Sequence, residues 1–285
     1  MNRPIIVGVT DSSASRKAVD WAAERAARTG SPIMLVHMLD SYLATLENQT
    51  YHEQHRAEAQ QLVDAAAEQV RAVAPGVAIE TQLFTGSSVP EVFVKAAAGA
   101  DAELVVVGSD TRGRAAQQRS QGTGSLRIAA AGDVPVVIVP DIPLEGRRGV
   151  VVGIDGSDTA AKAFDFAVAE ASARAEPLIA VHGWFDPSMR LGGEFMIAET
   201  EAQTKARVEE FVQELYAKHA QAHPGLEIDT RVVARVPADA LAEAAESATL
   251  LVVGSHGRGA FRRLLLGSVS HEVLTKLVGP TVVVR

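Results

Sequence analysis

The sequence lacks cysteine, long apolar runs and an excess of positive charge, and each absence removes a class of function. Because none of its 285 residues is cysteine, disulfides, thiol nucleophiles and cysteine-ligated zinc are excluded. No segment approaches the ~18 consecutive apolar residues of a transmembrane helix, and the first residues lack the pattern of a secretory signal. We therefore expect a cytoplasmic protein with no membrane contact.

The charge balance also argues against a nucleic-acid partner. The formal net charge is −8, so a broad basic surface that follows phosphates is not expected. Hydrophobic residues make up 47% and charged residues 22%, which is an ordinary globular composition. The length predicts two domains of about 140 residues each.

The chain contains two copies of one sequence pattern. The segment that ends at His37 resembles the segment that ends at His182, at an offset of 145 residues. The same offset relates the runs PVVIV at 135–139 and PTVVV at 280–284. A repeat of this length indicates tandem copies of one fold. We predict two domains, residues 1–141 and 148–285, joined by a linker at 142–147.

Each half alternates apolar β-branched runs with amphipathic helical segments, which predicts an α/β fold. Trp21 and Phe166 occupy matching helix positions and are expected in the cores. The predicted strands are 5–9, 33–39, 77–83, 104–107, 135–139, 150–154, 178–182, 228–233, 250–253 and 281–284. The predicted helices are 13–28, 52–73, 89–98, 158–174, 197–222 and 238–247, with one more after the glycine-rich loop of each half. Right-handed crossovers then give two tandem doubly wound parallel sheets of five strands, with helices on both faces.

The loops that follow the first and fourth strands of the second half are the candidate binding site. In doubly wound sheets a ligand lies beyond the carboxyl ends of the strands, where the strand order reverses. The fourth-strand loop, 254–270, is rich in glycine and ends in Gly267-Ser268, which opens a helix. Backbone N–H groups at such a corner favour a phosphate. The alternative is a tight turn followed by ordinary helix capping, which needs no ligand.

Two common phosphate motifs are absent. The sequence has neither a Walker A loop nor a Gly-x-Gly-x-x-Gly fingerprint after its first strand. Instead, the spacing Gly254-x2-Gly257-x9-Gly267-Ser268 after an LLVVG strand resembles the ATP-binding signature of the universal stress protein family. The segment 152–157, VGIDGS, is similar to the first loop of that family. The resemblance covers the whole chain and implies tandem domains of the adenine nucleotide alpha hydrolase-like type.

The resemblance assigns ten positions of the second half to the nucleotide. Asp155 would lie near the ribose and phosphates, and the backbone of Val181 would hydrogen-bond the adenine. The other eight would surround the ribose and triphosphate or line the mouth of the site: Gly254, His256, Gly257, Arg258, Gly267, Ser268, Val269 and Ser270.

The first half departs from this pattern. Thr10 stands where the second half has Asp155, Asp11 follows it, and Thr111 replaces the second glycine of the loop. The positions carried over to this half are Thr10, Asp11, Val36, Gly108, Arg112, Gly113, Gly122, Thr123, Gly124 and Ser125. We expect Gly122-Thr123 to open the next helix. Nucleotide binding is expected here too, with the second half as the better match.

The resemblance implies an ATP-binding regulatory protein of the stress or growth-arrest response. ATP, with Mg²⁺ as a candidate companion, would change a conformation or a partner surface; a homodimer and a regulatory protein partner are implied. A second hypothesis is a slow ATPase or nucleotide-dependent transferase that uses Asp155, His256 and Arg258. A third is a nucleotide-free interaction module whose strands 135–139 and 281–284 pair at a dimer seam.

The remaining histidines suggest structural roles. His37 and His182 end an apolar strand, so we expect them to pack beneath the site rather than act as bases. His219 and His223 are four residues apart on a helix, but no third ligand is evident, so no metal site is expected.

Overall fold

In this computed structural model, the described residues are 2–41, 49–110, 119–184, 201–257 and 266–285, without the side chains of 49–51, 119–123 and 201. They divide into two compact units, Met1–Pro143 and Leu144–Arg285. The bounds predicted from the sequence, 1–141 and 148–285, stay predictions. None of the helices in the described ranges has the length and apolar character needed to cross a membrane.

The first unit is a parallel sheet with the order β3-β2-β1-β4-β5. Its elements in chain order are β1 (Ile5–Gly8), α1 (Ser13–Thr29), β2 (Ile33–Asp40), α2 (Gln49–Val73), β3 (Ile79–Gly86), α3 (Val89–Ala100), β4 (Leu104–Ser109), α4 (Arg119–Ala131) and β5 (Val136–Pro140). The order reverses between β1 and β4, so the loops after these two strands leave the sheet in different directions.

The second unit repeats this arrangement with the order β8-β7-β6-β9-β10, again parallel. Its elements are β6 (Val150–Gly153), α5 (Asp158–Arg174), β7 (Leu178–Gly183), α6 (Glu201–Ala217), β8 (Ile228–Val233), α7 (Pro237–Ala245), β9 (Leu250–Gly254), α8 (Ser268–Lys276) and β10 (Thr281–Val284). The predicted doubly wound α/β fold with five parallel strands in each half is therefore confirmed.

Corresponding local signals begin the first helix of each unit. The Ser12 hydroxyl accepts a hydrogen bond from the Ser15 N–H at 3.1 Å, and the Ser157 hydroxyl accepts one from the Ala160 N–H at 3.2 Å. Serine at the N-cap satisfies an N–H that the helix itself cannot pair. Helix α1 ends at Gly30, whose φ of 71° is the left-handed geometry that glycine adopts without strain.

The cores are built from the central strands and the small-residue faces of α1 and α5. Strands β1 and β6 are apolar on both faces because helices cover the sheet on both sides. Trp21 is buried as expected, with 6% of its surface exposed. Phe166 is only partly buried, and the expectation for it is wrong, because Phe164, two residues earlier, fills the core with 0% exposure.

Several element boundaries differ from the sequence predictions, among them the end of α6, which lies at Ala217 rather than at 222. Strand β3 continues past the predicted end at Leu83 because it pairs with β2 as far as Gly86 opposite Asp40. Helix α4 begins at Arg119, so the expectation that Gly122-Thr123 opens this helix is wrong. The residues at 119–121 are Arg, Ser and Gln, which a helix accommodates, and they extend the helix by one turn.

The residues at the two ends of the predicted linker are held by the units themselves. The side chain of Asp141, 4% exposed, accepts a hydrogen bond from the Ser13 hydroxyl at 2.5 Å and pairs with Lys17. Arg147 lies close to the carbonyls of Ala245 and Ala248, 3.4 and 3.5 Å from its guanidinium. Burial lowers the pKa of Arg147, and the nearby charge of Glu246 opposes this shift.

Candidate functional site

The turn after β6 orients a carboxylate toward the switch point of the second unit. Asp155 Oδ1 accepts the Ser157 N–H at 2.9 Å, and Gly156 between them has a φ of 78°. Ser157 also caps α5, so the turn and the helix fix each other. The other oxygen of Asp155 remains on the side of the glycine loop.

The glycine loop after β9 passes very close to this turn. A Cβ at Gly257 would lie 2.5 Å from Asp155 Oδ2, and one at Gly254 would lie 2.9 Å from the carbonyl carbon of Thr159. Gly254 therefore requires glycine, because a side chain would meet the backbone of α5, and a side chain at Gly257 would displace the carboxylate of Asp155. The two predicted loops do meet at one corner of the sheet.

The chain returns to this corner through the start of α8. The Gly267 N–H donates to the Ser255 carbonyl at 2.7 Å, and the buried Ser270 hydroxyl donates to the same carbonyl at 3.0 Å. The first bond that closes the helix joins the His271 N–H to the Gly267 carbonyl at 2.9 Å. The N–H groups of residues 268–270 precede that bond, so the helix itself does not pair them.

A cavity of about 320 Å³ lies between these segments, within the range of about 300–1,000 Å³ that is typical of small-molecule sites. Nine of the ten predicted positions of the second half line it: Asp155, Val181, Gly254, His256, Gly257, Gly267, Ser268, Val269 and Ser270. The tenth, Arg258, lies outside the described residues. The remaining lining residues are small or apolar: Gly153, Ile154, Ala160, Gly183, Pro237, Leu241 and Val253.

Gly183 is a lining position that the sequence prediction missed. A Cβ there would lie 2.6 Å from the Cα of Pro237, so the position requires glycine. The carbonyl of Val181 already accepts the Ile154 N–H at 2.9 Å, as part of the ladder with β6. Backbone groups of alternate strand residues point to the same side, so the N–H and C=O of Gly183 face the space beyond the end of β6. Only the register of β7 on β6, which cannot be read from the sequence, could have identified this residue.

The strand-end histidines have structural hydrogen bonds. His182 Nδ1 lies 2.6 Å from the Ile154 carbonyl, and His37 Nδ1 lies 2.8 Å from the Val9 carbonyl. A carbonyl can only accept, so Nδ1 carries the proton in both rings. In the cavity itself, His256 Nδ1 lies 3.0 Å from the hydroxyl of Ser255.

Few of the described residues that line the cavity carry a charge. Asp155 is the one carboxylate there, and neither lysine nor arginine is present. The described ranges contain no cluster of three His, Asp or Glu residues that could hold a metal ion. His219 instead lies 2.7 Å from Asp165 Oδ1, with the ring of His223 at 6.2 Å.

The corresponding positions of the first unit form a different arrangement. The Thr10 N–H donates to the Ser15 hydroxyl at 2.8 Å. Asp11 is exposed and lies 3.6 Å from Arg16, so the carboxylate of Asp155 has no described counterpart at this turn. Gly108 keeps the close approach of Gly254, and the Ser125 hydroxyl donates to Ser109 at 3.3 Å.

The other first-half positions are less completely described. Val36 lies buried in β2, paired with Gly8. Gly124 lies inside α4, where a Cβ would meet nothing within 4 Å. Gly122 and Thr123 also lie inside α4, in the part of the helix whose side chains are not described, and Arg112 and Gly113 lie outside the described residues.

Comparison with known proteins gives a consistent match over both units. The sequence model of the universal stress protein family matches residues 1–140 and 146–285. A universal stress protein of Mycolicibacterium smegmatis is 34% identical over 298 residues, covering 99% of this chain and 96% of that protein. One of Mycobacterium tuberculosis is 33% identical over 293 residues, with the same coverage. The crystal structure of a universal stress protein from Archaeoglobus fulgidus shares the fold, with a TM-score of 0.72 and 19% identity over 99% of this chain and 96% of that one.

Proposed function

The chain belongs to the universal stress protein family, and we propose that its second domain binds ATP in the cavity at the carboxyl end of β6, β7 and β9. The observation that carries the proposal is the convergence of nine predicted positions around one cavity of about 320 Å³. A capped turn alone would not explain such a cavity, because glycines at 254, 257 and 183 all keep side chains out of the corner.

The apolar end of the cavity fits a purine base. Pro237, Leu241 and Ala160 supply apolar surface for the ring faces. The N–H and C=O of Gly183 offer a donor and an acceptor side by side, which matches the acceptor N1 and donor N6 of adenine. The predicted role of the Val181 backbone stays a prediction, and Gly183 is our addition to it.

The polar end fits the ribose and phosphates in that order. A carboxylate accepts from ribose hydroxyls but repels phosphate, so Asp155 belongs beside the sugar. The unpaired N–H groups of Ser268, Val269 and Ser270 at the start of α8 then face the phosphates, with the helix dipole in support. Mg²⁺ would take most of its ligands from phosphate oxygens and water, because the described lining offers one carboxylate.

We propose a regulatory output rather than turnover. Efficient phosphoryl transfer needs metal-holding carboxylates, a group that orients the nucleophile and charge neutralisation in one place. The described lining supplies Asp155 and His256 alone for those tasks. ATP would therefore act in the stress or growth-arrest response by changing a conformation or a partner surface. A cytoplasmic homodimer with a protein partner completes the proposal.

Calorimetric titration with ATP tests the binding step. Gly267→Glu is expected to abolish binding, because it places bulk and negative charge where the chain returns from the glycine loop, 3.3 Å from the Ser255 carbonyl. The control is Gly122→Glu, at the same offset of 145 residues in the first unit, which should leave that binding intact. Failure of the natural chain to bind ATP at millimolar concentration would refute the proposal.

A further inference from the structure

Thr159 connects the two loops of the second unit. It is the second residue of α5, and its hydroxyl donates to the carbonyl of His256, 97 residues further along the chain. The same hydroxyl lies 3.1 Å from the hydroxyl of Ser157, which accepts the Ala160 N–H. Because a carbonyl only accepts, the Thr159 proton points to His256, and Ser157 donates to Thr159. The capped start of α5 thus holds the glycine loop at His256.

The bond acts where the loop lines the cavity. His256 lies between two glycines at which an added Cβ would meet the first loop and α5, Gly254 beside the backbone of Thr159 and Gly257 beside the carboxylate of Asp155. Both His256 and Gly257 line the cavity. If the carbonyl of His256 were released, residues 254–257 could move away from Asp155.

The first unit provides a natural comparison without this hydroxyl. Ala14 occupies the position of Thr159, again as the second residue of its helix. A Cβ at Gly108 would lie 2.4 Å from the carbonyl carbon of Ala14, so the close packing of strand on helix is the same. The close approach of strand and helix therefore forms without a hydroxyl at this position, and the bond to the glycine loop is what the second unit adds.

We propose that Thr159 is a positioning residue, whose hydroxyl holds the glycine loop in the geometry that accepts nucleotide. The inference rests on the proposed function only for the identity of the ligand. Removing the hydroxyl should weaken ATP binding by roughly tenfold, the upper range for one neutral hydrogen bond. It should also increase hydrogen exchange at the Gly267 N–H, which donates to the carbonyl of Ser255, the residue before His256.

The experiment compares Thr159→Val, which keeps the shape, with Thr159→Ala and Thr159→Ser. The control is Thr275→Ala, which removes another hydroxyl-to-carbonyl bond, from α8 to His271. We expect the Val and Ala variants to bind ATP more weakly and to exchange faster in segments 250–257 and 266–273. Ser should restore both properties, and Thr275→Ala should change neither.

The two readouts separate this inference from the proposed function. If the natural chain binds no ATP, the proposed function fails, and the exchange rates alone decide the role of Thr159. A Thr159→Val variant with natural exchange in both segments overturns the inference, whatever the nucleotide result. Equal weakening by Val and Ser overturns it as well, because the hydroxyl would then not be the cause. Circular dichroism checks that each variant is folded.

Discussion

Replacing Gly257 by alanine tests how closely the glycine loop and the Asp155 turn depend on each other. The added Cβ would lie 2.5 Å from Asp155 Oδ2, whereas nonbonded heavy atoms are best separated by about 3.5 Å or more. Because Asp155 is held by the Ser157 N–H at 2.9 Å, the carboxylate cannot turn away without losing that bond. Either the carboxylate or the loop must move.

The expected size of the effect follows from the role proposed for Asp155. A hydrogen bond to a charged group contributes about 1.5–3 kcal/mol, so its loss weakens ATP binding about 10- to 100-fold. Asp155→Ala removes the proposed hydrogen bond to ATP directly. Gly257→Ala should lose a similar amount of binding free energy, because it displaces the carboxylate of Asp155. Calorimetric titration measures both variants against the natural chain.

A double-variant cycle gives the decisive comparison. Once Asp155 is alanine, the methyl group at 257 no longer meets a carboxylate, so Gly257→Ala should add little further loss. Strong non-additivity of this kind is expected only for residues in contact. If Gly257→Ala costs as much without Asp155 as with it, the loop fails for another reason and our description of this corner is wrong.

Two further predictions concern stability and can be measured by denaturant unfolding. Phe164→Ala should destabilise the second domain by about 3–5 kcal/mol because Phe164 is fully buried, whereas Phe166→Ala should cost clearly less; equal losses would contradict the assignment of the core. Arg174→Ala should cost about 3–5 kcal/mol by removing the guanidinium that pairs with Glu170, since their side chains are 7% and 4% exposed. A loss below about 1 kcal/mol, which is typical of an exposed pair, would contradict this prediction.

Most of the fold could be predicted from the sequence, because the repeat presents each strand and helix pattern twice. Helix α5 follows its predicted bounds, 158–174, since Ser157 caps it and small residues mark its buried face. The errors arise where the deciding contact is distant in sequence. Strand β3 is longer than its apolar run because β2 supplies partners as far as Asp40. Phe164 and Phe166 are equally apolar, and only the packed helix decides which one faces the sheet.

The loops that form the site could be predicted from the sequence, but the residues that other segments contribute to it could not. Glycine spacing identified Gly254, Gly257 and Gly267, and each of them lies where an added Cβ would come within 3.3 Å of another segment of the site. No local pattern marks Gly183, because the residue that excludes a side chain there is Pro237, 54 residues later in the chain. The Thr159 hydroxyl is likewise explained only by a carbonyl on the opposite loop.

The two units differ at the cavity and agree beneath it. Both keep the serine cap, the strand-end histidine and the glycine that lets the fourth strand touch the first helix. Three of the positions that differ lie at this corner: Thr10, Ala14 and Thr111 stand in place of Asp155, Thr159 and Gly257. Asp155 and Gly257 line the cavity, and Thr159 bonds the carbonyl of His256 beside it, so all three differences bear on the proposed site. We therefore assign the nucleotide of the proposed function to the second domain, where carboxylate, hydroxyl and glycine occur together.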